Sequence, residues 1–251
     1  MIASQRLERL RHELAGQPRC SIAYLERTLG VSRATVRRDL IALERGGEVV
    51  RVHGGVVASG LRQGETTFQR RRSERAPAKL AIPRAAAPRI GEGQCVYVDA
   101  GTTCLEVGRL LLRRRDVRLV THSVPLLAEA ATAEAQVVGI GGVLRPGSEA
   151  LVGDLAHAWL DRLRLDVACL GASGLDPDEG TSTTEPSEAE VKRRVLSRAA
   201  RAMLCADRHK ADAPSTVRFA QWPEFDLWIT DAWPAGWPSR EGWPTDVCLA
   251  A

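Results

Sequence analysis

Three short runs in the first 45 residues carry apolar side chains at helical spacing. The stripes are Leu7, Leu10 and Leu14, then Ile22, Leu25 and Leu29, then Val36, Leu40 and Leu43. This period predicts three amphipathic helices. Gly30 is placed to end the second helix in a left-handed conformation, and the hydroxyl of Ser32 is placed to cap the third. A valine-rich run at 49–52 then predicts a β-ribbon, so the order of elements is that of a winged helix-turn-helix over residues 1–58.

The face of the third helix that turns away from its apolar stripe is short, polar and basic. Its residues, with the helix start, are Ser32, Arg33, Ala34, Thr35, Arg37 and Arg38. Such a face fits the major groove of DNA. The alternative is a plain helical hairpin with a solvated basic face, because arginine is the usual cation throughout the chain (32 Arg, 3 Lys). The succession of cap, stripe and ribbon favours DNA binding.

From residue 94 onwards, short apolar runs alternate with helical patterns. The predicted strands are 95–100, 117–121, 136–141, 166–171, 202–207 and 227–231, and the predicted helices are 103–114, 123–134, 153–163 and 187–200. This alternation predicts a mostly parallel sheet with helices on both faces. The fold class is therefore α/β, with the helix-turn-helix domain at 1–58, a basic linker at 59–80 and an α/β domain at 81–251.

Small and polar residues gather where the predicted strands end. They follow the strands at 99–103, 121–123, 141–142, 171–174 and 207–210. Glycines let backbone amides approach a ligand, hydroxyls donate hydrogen bonds, and helix N-termini favour anions. Ligands on parallel sheets bind at the carboxyl ends of the strands. The succession of these loops therefore favours a phosphate-bearing small molecule over no ligand.

Charge separates the two parts of the chain. Residues 1–60 carry a net charge of +4, residues 61–80 a further +4, and residues 81–251 a net −4. This asymmetry favours a basic module for a polyanion joined to a slightly acidic body. The six cysteines are scattered, which predicts neither a disulfide framework nor a metal site. With 44% hydrophobic residues, no long apolar run and no signal-peptide pattern, we expect a soluble cytoplasmic protein.

The run VSRATVRRDLIALERGGEVVRVHGGVV resembles the N-terminal domain of the DeoR family of bacterial transcriptional regulators. The matching residues are Val31, Ser32, Thr35, Val36, Arg37, Arg38, Asp39, Leu40, Leu43, Glu44, Gly47, Arg51, His53, Gly54 and Gly55. The resemblance implies that the helix face described above reads the operator. It also implies that Arg51, His53 and Gly54 of the wing contact phosphate or the minor groove.

The resemblance extends to the α/β part. The family has an effector domain with a fold like that of ribose-5-phosphate isomerase, and it usually senses a phosphorylated sugar. By this resemblance the effector-binding residues are Asp99, Gly101, Thr102, Thr103, Thr121, His122, Ser123, Gly141, Gly142, Glu185, Lys192, Asp207 and Lys210. His122 stands where the family prefers Asn, so either the effector differs or this is an ordinary loop histidine; both interpretations stay open.

Two other departures concern the ends of the α/β part. Pro83 and Pro88 fall where the family runs a continuous helix, which predicts a kink or break near 82–89. The tail 233–250 contains three Trp-Pro pairs. It either caps the sheet or forms a subunit contact, and we favour capping.

The sequence thus predicts a DNA-binding regulator, a repressor of carbohydrate catabolism released by a phosphorylated sugar. We expect no cofactor, metal or catalytic residue, no membrane partner, and a dimer or tetramer because such modules read paired half-sites. The alternative is a sugar-phosphate isomerase or transferase with an accessory DNA-binding-like domain. In that case Asp99, Glu185, Asp207 and Lys210 are the candidate acid–base groups.

Overall fold

The computed structural model describes residues 3–16, 19–45, 49–52, 55–58, 68–73, 76–212 and 215–250. Its contacts divide the chain into two compact units, Met1–Ser73 and Glu74–Ala251. The division falls inside the segment interpreted as a linker. The domain boundaries inferred from the sequence stay predictions.

The smaller unit consists of helices and a three-stranded antiparallel sheet. Its elements are α1 (Ala3–Gly16), β1 (Arg19–Ser21), α2 (Ile22–Leu29), α3 (Arg33–Arg45), β2 (Val49–Val52), β3 (Gly55–Ala58) and α4 (Phe68–Ser73). The strand order is β1-β3-β2. The three predicted apolar stripes form one core with Cys20, Val49 and Val56. The winged helix-turn-helix is therefore confirmed, with β1 as an additional strand that the sequence pattern did not predict.

Two glycines shape this unit for different reasons. Gly30 ends α2 at φ 64°, ψ 34°, the left-handed region that glycine adopts most easily, and its N–H donates to the carbonyl of Glu26. Gly55 lies where β3 approaches β1, and a Cβ there would lie 2.5 Å from the carbonyl oxygen of Cys20. The first glycine provides a turn, and the second allows two strands to come close.

The larger unit is built on a seven-stranded sheet in the order β15-β14-β12-β9-β4-β5-β6, with every neighbouring pair parallel. Its strands are β4 (Cys95–Val98), β5 (Arg118–Thr121), β6 (Gln136–Gly139), β9 (Leu165–Leu170), β12 (Ala199–Cys205), β14 (Leu227–Thr230) and β15 (Asp246–Leu249). Six of the seven match predicted strands. The mostly parallel α/β domain is confirmed.

Helices and small antiparallel sheets surround this sheet. The helices are α5 (Ala76–Ala86), α6 (Thr102–Leu111), α7 (Val124–Glu129), α8 (Asp154–Leu160) and α9 (Pro186–Arg198). The small sheets are the hairpin β7 (Val143–Arg145) with β8 (Ala150–Val152), and β10 (Gly174–Asp176) and β11 (Gly180–Thr183) with β13 (Val217–Ala220). The sequence analysis identified α6 to α9 but neither small sheet, and it did not list α5, which begins inside the segment 59–80 interpreted as a linker.

The prolines interrupt the helix near the predicted position. Pro83 lies inside α5, which ends at Ala86, and a 3₁₀ turn containing Pro88 follows at Ala87–Arg89. Proline lacks the N–H that would continue the helical hydrogen bonds. The chain therefore changes from an α-helix to a 3₁₀ turn within the range 82–89.

The tryptophan-rich tail packs on the sheet. Five tryptophans have ring centroids 5.0–6.0 Å from at least one other ring of the group, namely Trp222, Trp228, Trp233, Trp237 and Trp243. Beyond them β15 runs parallel to β14 at one edge of the sheet. Of the two interpretations of the tail, the structure places these aromatics in the capping role. Among the residues that the structure describes, no helix is long and apolar enough to cross a bilayer.

Candidate functional site

The start of α3 is organised by Ser32. Its Oγ accepts a hydrogen bond from the backbone N–H of Thr35 at 3.4 Å and lies 3.0 Å from the Thr35 hydroxyl. Ser32 thereby satisfies an N–H that the first turn of a helix leaves without a partner. The predicted cap is present, and it holds the start of α3 in place.

The two faces of α3 differ as the sequence predicted. Val36, Leu40 and Leu43 are buried in the core of the smaller unit. Arg33, Ala34, Arg37 and Arg38 are exposed, and Thr35 is half-buried. Residues four apart lie on one side of a helix. The exposed side therefore presents three guanidinium groups beside two small side chains.

Asp39, which directly follows the two exposed arginines, has a different role. It is buried, and both of its carboxylate oxygens accept hydrogen bonds from the Arg6 guanidinium of α1; the contact of Arg6 Nη2 with Oδ1 is 3.0 Å. The carboxylate raises the pKa of Arg6, chiefly through the hydrogen bond. Asp39 thus joins α1 to α3, a role that sequence spacing did not reveal.

The structure describes the strands of the wing but not the side chains that the sequence assigned to DNA contact. β2 and β3 pair in antiparallel register, with Arg51 opposite Val56 and Val52 opposite Gly55. The side chain of Arg51 is outside the described part of the chain, as are His53 and Gly54. Their assignment to DNA contact stays a prediction.

A second cluster lies at the carboxyl end of β4, where Asp99 is 1% exposed. Asp99 Oδ2 accepts a hydrogen bond from the Gly171 N–H at 2.9 Å and another from Lys192 Nζ. Lys192 Nζ also donates to the Gly171 carbonyl at 3.0 Å and lies 5.3 Å from the ring centroid of Phe219. The predicted residues Asp99 and Lys192, 93 positions apart, therefore form one buried ion pair.

The other oxygen of Asp99 is left without a hydrogen bond among the described residues, although it is buried. Nε2 of His122 lies 3.9 Å from this oxygen, which is beyond hydrogen-bond distance. A buried acceptor without a partner is unusual and often marks a place where a water or a ligand binds. Asp99 Oδ1 and His122 Nε2 thus lie side by side with no direct hydrogen bond between them.

His122 is fully enclosed and held by Tyr97. The Tyr97 hydroxyl bonds His122 Nδ1, and the two rings stack at a centroid distance of 5.7 Å. Burial lowers the pKa of His122, an effect that Asp99 opposes and Lys192 reinforces. The imidazole is therefore neutral at pH 7. We assign the ring proton to Nε2, which faces Asp99, with Nδ1 accepting from the Tyr97 hydroxyl.

A third set of buried charges connects the β7–β8 hairpin to α9. Arg145 Nη1 donates to Glu188 Oε1 at 3.0 Å, and its Nε lies 3.9 Å from Oε2 of Glu185. The other oxygen of Glu188 accepts from the Thr183 hydroxyl at 3.0 Å. Arg145 was not among the predicted site residues, because nothing in its local sequence indicates this partner.

Several predicted effector residues already have internal roles. Thr121 Oγ1 donates to the Val98 carbonyl at 2.7 Å, and Ser123 Oγ accepts the Leu126 N–H at 3.5 Å as the cap of α7. Gly142 lies so close to β8 that a Cβ would be 2.6 Å from the Val152 carbonyl oxygen. Contact of these residues with a ligand stays a prediction.

The remaining predicted residues lie at strand ends or helix starts of the larger unit. Gly101, at φ 131°, precedes α6, whose first residues are Thr102 and Thr103. Gly141 follows β6 and is exposed. Asp207 is buried after β12, where its Oδ1 accepts the His209 N–H at 3.1 Å and its carbonyl accepts the Lys210 N–H at 3.1 Å. Because all the strands of this sheet are parallel, these loops share one edge with Asp99 and His122.

Two family models match the two units in turn. One, described as the DeoR-like helix-turn-helix domain, matches residues 6–60, and the other, described as the DeoR C-terminal sensor domain, matches residues 74–232. The chain belongs to the DeoR family. Its α3 is the second helix of the family's helix-turn-helix, and the Asp99 cluster lies within its sensor domain.

The chain is also similar over most of its length to named members of the family. It is 36% identical to the transcriptional regulator GlpR of Haloferax volcanii, over 92% of this chain and 91% of that protein. It is 29% identical to a putative aga operon transcriptional repressor of Escherichia coli O157:H7, over 91% and 86%. It is 28% identical to the glycerol-3-phosphate regulon repressor of E. coli K12, over 81% of each.

Among solved structures, a ribose 5-phosphate isomerase A from Methanocaldococcus jannaschii overlaps half of each chain, with 17% identity and a TM-score of 0.38. A likeness this distant does not bear on function.

Proposed function

We propose that this protein is a transcriptional repressor of a carbohydrate-catabolic operon, acting in the cytoplasm, and that a phosphorylated sugar releases it from DNA. The observation that carries the proposal is the exposed face of α3. Arg33, Arg37 and Arg38 are exposed there, while the opposite face is buried. An exposed helix of this kind enters the major groove, where arginine reads guanine and also binds phosphate.

Two copies of the chain are expected on each operator. A single helix-turn-helix covers one half-site, and such modules bind half-sites separated by about one helical turn of DNA. The proposal therefore includes at least a dimer.

The effector site in this proposal is the cluster around Asp99 in the larger unit. A hydroxyl group placed beside Asp99 Oδ1 and His122 Nε2 would donate to the carboxylate and accept from the imidazole. It would satisfy the one oxygen of Asp99 that has no hydrogen bond among the described residues. We assign this position to a hydroxyl of the sugar. Its phosphate goes to the N-terminus of α6, where glycine and two threonines supply N–H and hydroxyl donors.

The names of the relatives support a carbohydrate-catabolic operon as the target of this regulator. Two of them are named for the glycerol-3-phosphate regulon and the aga operon. A regulator of this type responds to a metabolite of the pathway it controls. The His122 position, with an imidazole in place of the family's amide, is the residue at which we expect this chain's effector to differ.

A gel-shift experiment tests the proposal and separates it from the enzyme alternative. The full chain is mixed with the DNA upstream of its own gene, with and without a panel of sugar phosphates. We expect a specific retarded band that one or a few sugar phosphates abolish. Turnover of a sugar phosphate in the absence of any retarded DNA would overturn the regulator and favour the isomerase or transferase.

A further inference from the structure

One patch of the larger unit exposes large apolar side chains at the surface. Val143 and Leu144 of β7 are 70% and 53% exposed, and Leu155 and Trp159 of α8 are 68% and 57% exposed. Trp159 is the one tryptophan outside the cluster that covers the sheet. Most soluble monomers avoid grouped exposed side chains of this size, and tryptophan is enriched in protein interfaces.

The patch is continuous, because the hairpin leads directly into α8. Gly153 joins β8 to α8, and a Cβ on Gly153 would lie 3.9 Å from Val143 Cγ2. The inner side of α8 packs Ala156 and Leu160 into the core, which turns Leu155 and Trp159 outward. We call the surface formed by Val143, Leu144, Leu155 and Trp159 the α8 patch.

Charges at the two ends of the α8 patch are complementary to each other. Asp154, at the first residue of α8, is fully exposed, and Arg162, just after the helix, is exposed as well. From residue 154 to residue 162 the exposed positions are 154, 155, 158, 159, 161 and 162. Asp161 pairs with Arg194 of α9, at 2.6 Å between Nη1 and Oδ2, so the patch has Asp154 at one end, apolar residues in the middle and Arg162 at the other end. A second α8 laid antiparallel on the first would bring each Asp154 to the partner's Arg162.

We propose that the α8 patch is the surface through which two copies of this chain associate, with their α8 helices antiparallel about a twofold axis. An isologous contact of this kind requires a surface that is complementary to itself, and the α8 patch has that property. The choice of a second copy as partner rests on the proposed function, since the helix-turn-helix calls for paired chains.

The first test measures the mass of the full chain in solution, without DNA or effector. Light scattering after gel filtration should give the mass of a dimer or larger for the natural chain, and that of a single chain for Leu155→Glu and for Trp159→Glu. Both side chains are exposed, so each variant should remain folded and unfold cooperatively, with any fall in its unfolding temperature limited to the loss of association. Leu80→Glu, at a leucine of α5 that is 52% exposed, is the matched control and should leave the mass unchanged.

The second test addresses the antiparallel arrangement. Asp154→Arg and Arg162→Asp alone should each weaken association at least fivefold, and the double variant should recover it because the opposite charges are restored. A monomeric natural chain, an unchanged mass in Trp159→Glu, or equal dissociation in Leu80→Glu would overturn the interface. Failure of the double variant to recover would overturn the antiparallel pairing. None of these results depends on whether the chain binds DNA or a sugar phosphate.

Discussion

Replacing Lys192 by methionine tests the buried ion pair on which the effector site is built. Methionine keeps the unbranched stem and can pack against Phe219, but it removes the ammonium group that bonds Asp99 and the Gly171 carbonyl. The Asp99 carboxylate then keeps the 2.9 Å hydrogen bond from the Gly171 N–H as its remaining bond among the described residues. Leaving one member of a buried pair without its counter-charge costs about 3–5 kcal/mol. For a unit of this size that corresponds to a fall of roughly 6–20 °C in its unfolding temperature.

The measurement is a thermal unfolding curve of the full chain, following the transition of the larger unit. Arg193→Met is the matched control, because it removes a neighbouring cation of α9 that is exposed. It should shift the transition by less than about 2 °C, as most exposed substitutions do. The double variant Asp99→Asn with Lys192→Met removes both charges and should recover part of the loss. Equal effects of Lys192→Met and Arg193→Met would refute the reasoning.

Three further predictions concern DNA binding, pH and strand packing. Arg38→Ala should weaken specific DNA binding in anisotropy titrations by about 1–3 kcal/mol per half-site, whereas the exposed Arg84→Ala should not; equal effects would contradict the assignment of α3. Burial lowers the pKa of His122 in the folded chain. The larger unit should therefore keep its full free energy of unfolding above the unfolded pKa of about 6.5. As the pH falls from there towards the folded pKa, it should lose up to about 1.4 kcal/mol per pH unit. Denaturant unfolding from pH 7 to 5 should show this loss in the natural chain, and His122→Asn should remove it. Identical pH profiles for the natural chain and for His122→Asn would contradict this role of His122. Gly55→Ala should destabilise the smaller unit by about 1–3 kcal/mol in the same assay, because the added Cβ meets the Cys20 carbonyl, and an unchanged midpoint would contradict that packing.

Features set by local sequence could be predicted. The stripe of Val36, Leu40 and Leu43 follows the helical period, and it is buried as expected. Gly30 and Ser32 are local signals for a helix end and a helix start, and both have those roles. Six sheet strands were identified because continuous apolar runs mark strands that are covered on both faces.

Features set by tertiary contact could not be predicted. The Arg6–Asp39 pair spans 33 positions and the Arg145–Glu188 pair spans 43, and no periodicity links such partners. The two small antiparallel sheets have strands of three or four residues, too short to show an alternation. β15 was missed because it follows a run of Trp-Pro pairs, which lacks the apolar period of a strand.

The effector site could be predicted from the sequence only in part. The resemblance selected Asp99, His122 and Lys192, and the structure brings these three together. It did not indicate Tyr97, whose hydroxyl bonds His122 Nδ1, because that contact crosses between neighbouring strands. Signals in strand-end loops thus located the site, while its internal hydrogen bonds required the folded chain.

The affinity of the full chain for its operator, measured with and without a bound phosphorylated sugar, tests the central claim most directly. Anisotropy titrations give the dissociation constant for DNA, and a thermal shift of the larger unit shows independently that the sugar phosphate is bound. The account predicts that the effector weakens DNA binding about 5- to 150-fold, the range of ordinary coupling between two sites. An unchanged DNA affinity at saturating effector would contradict it.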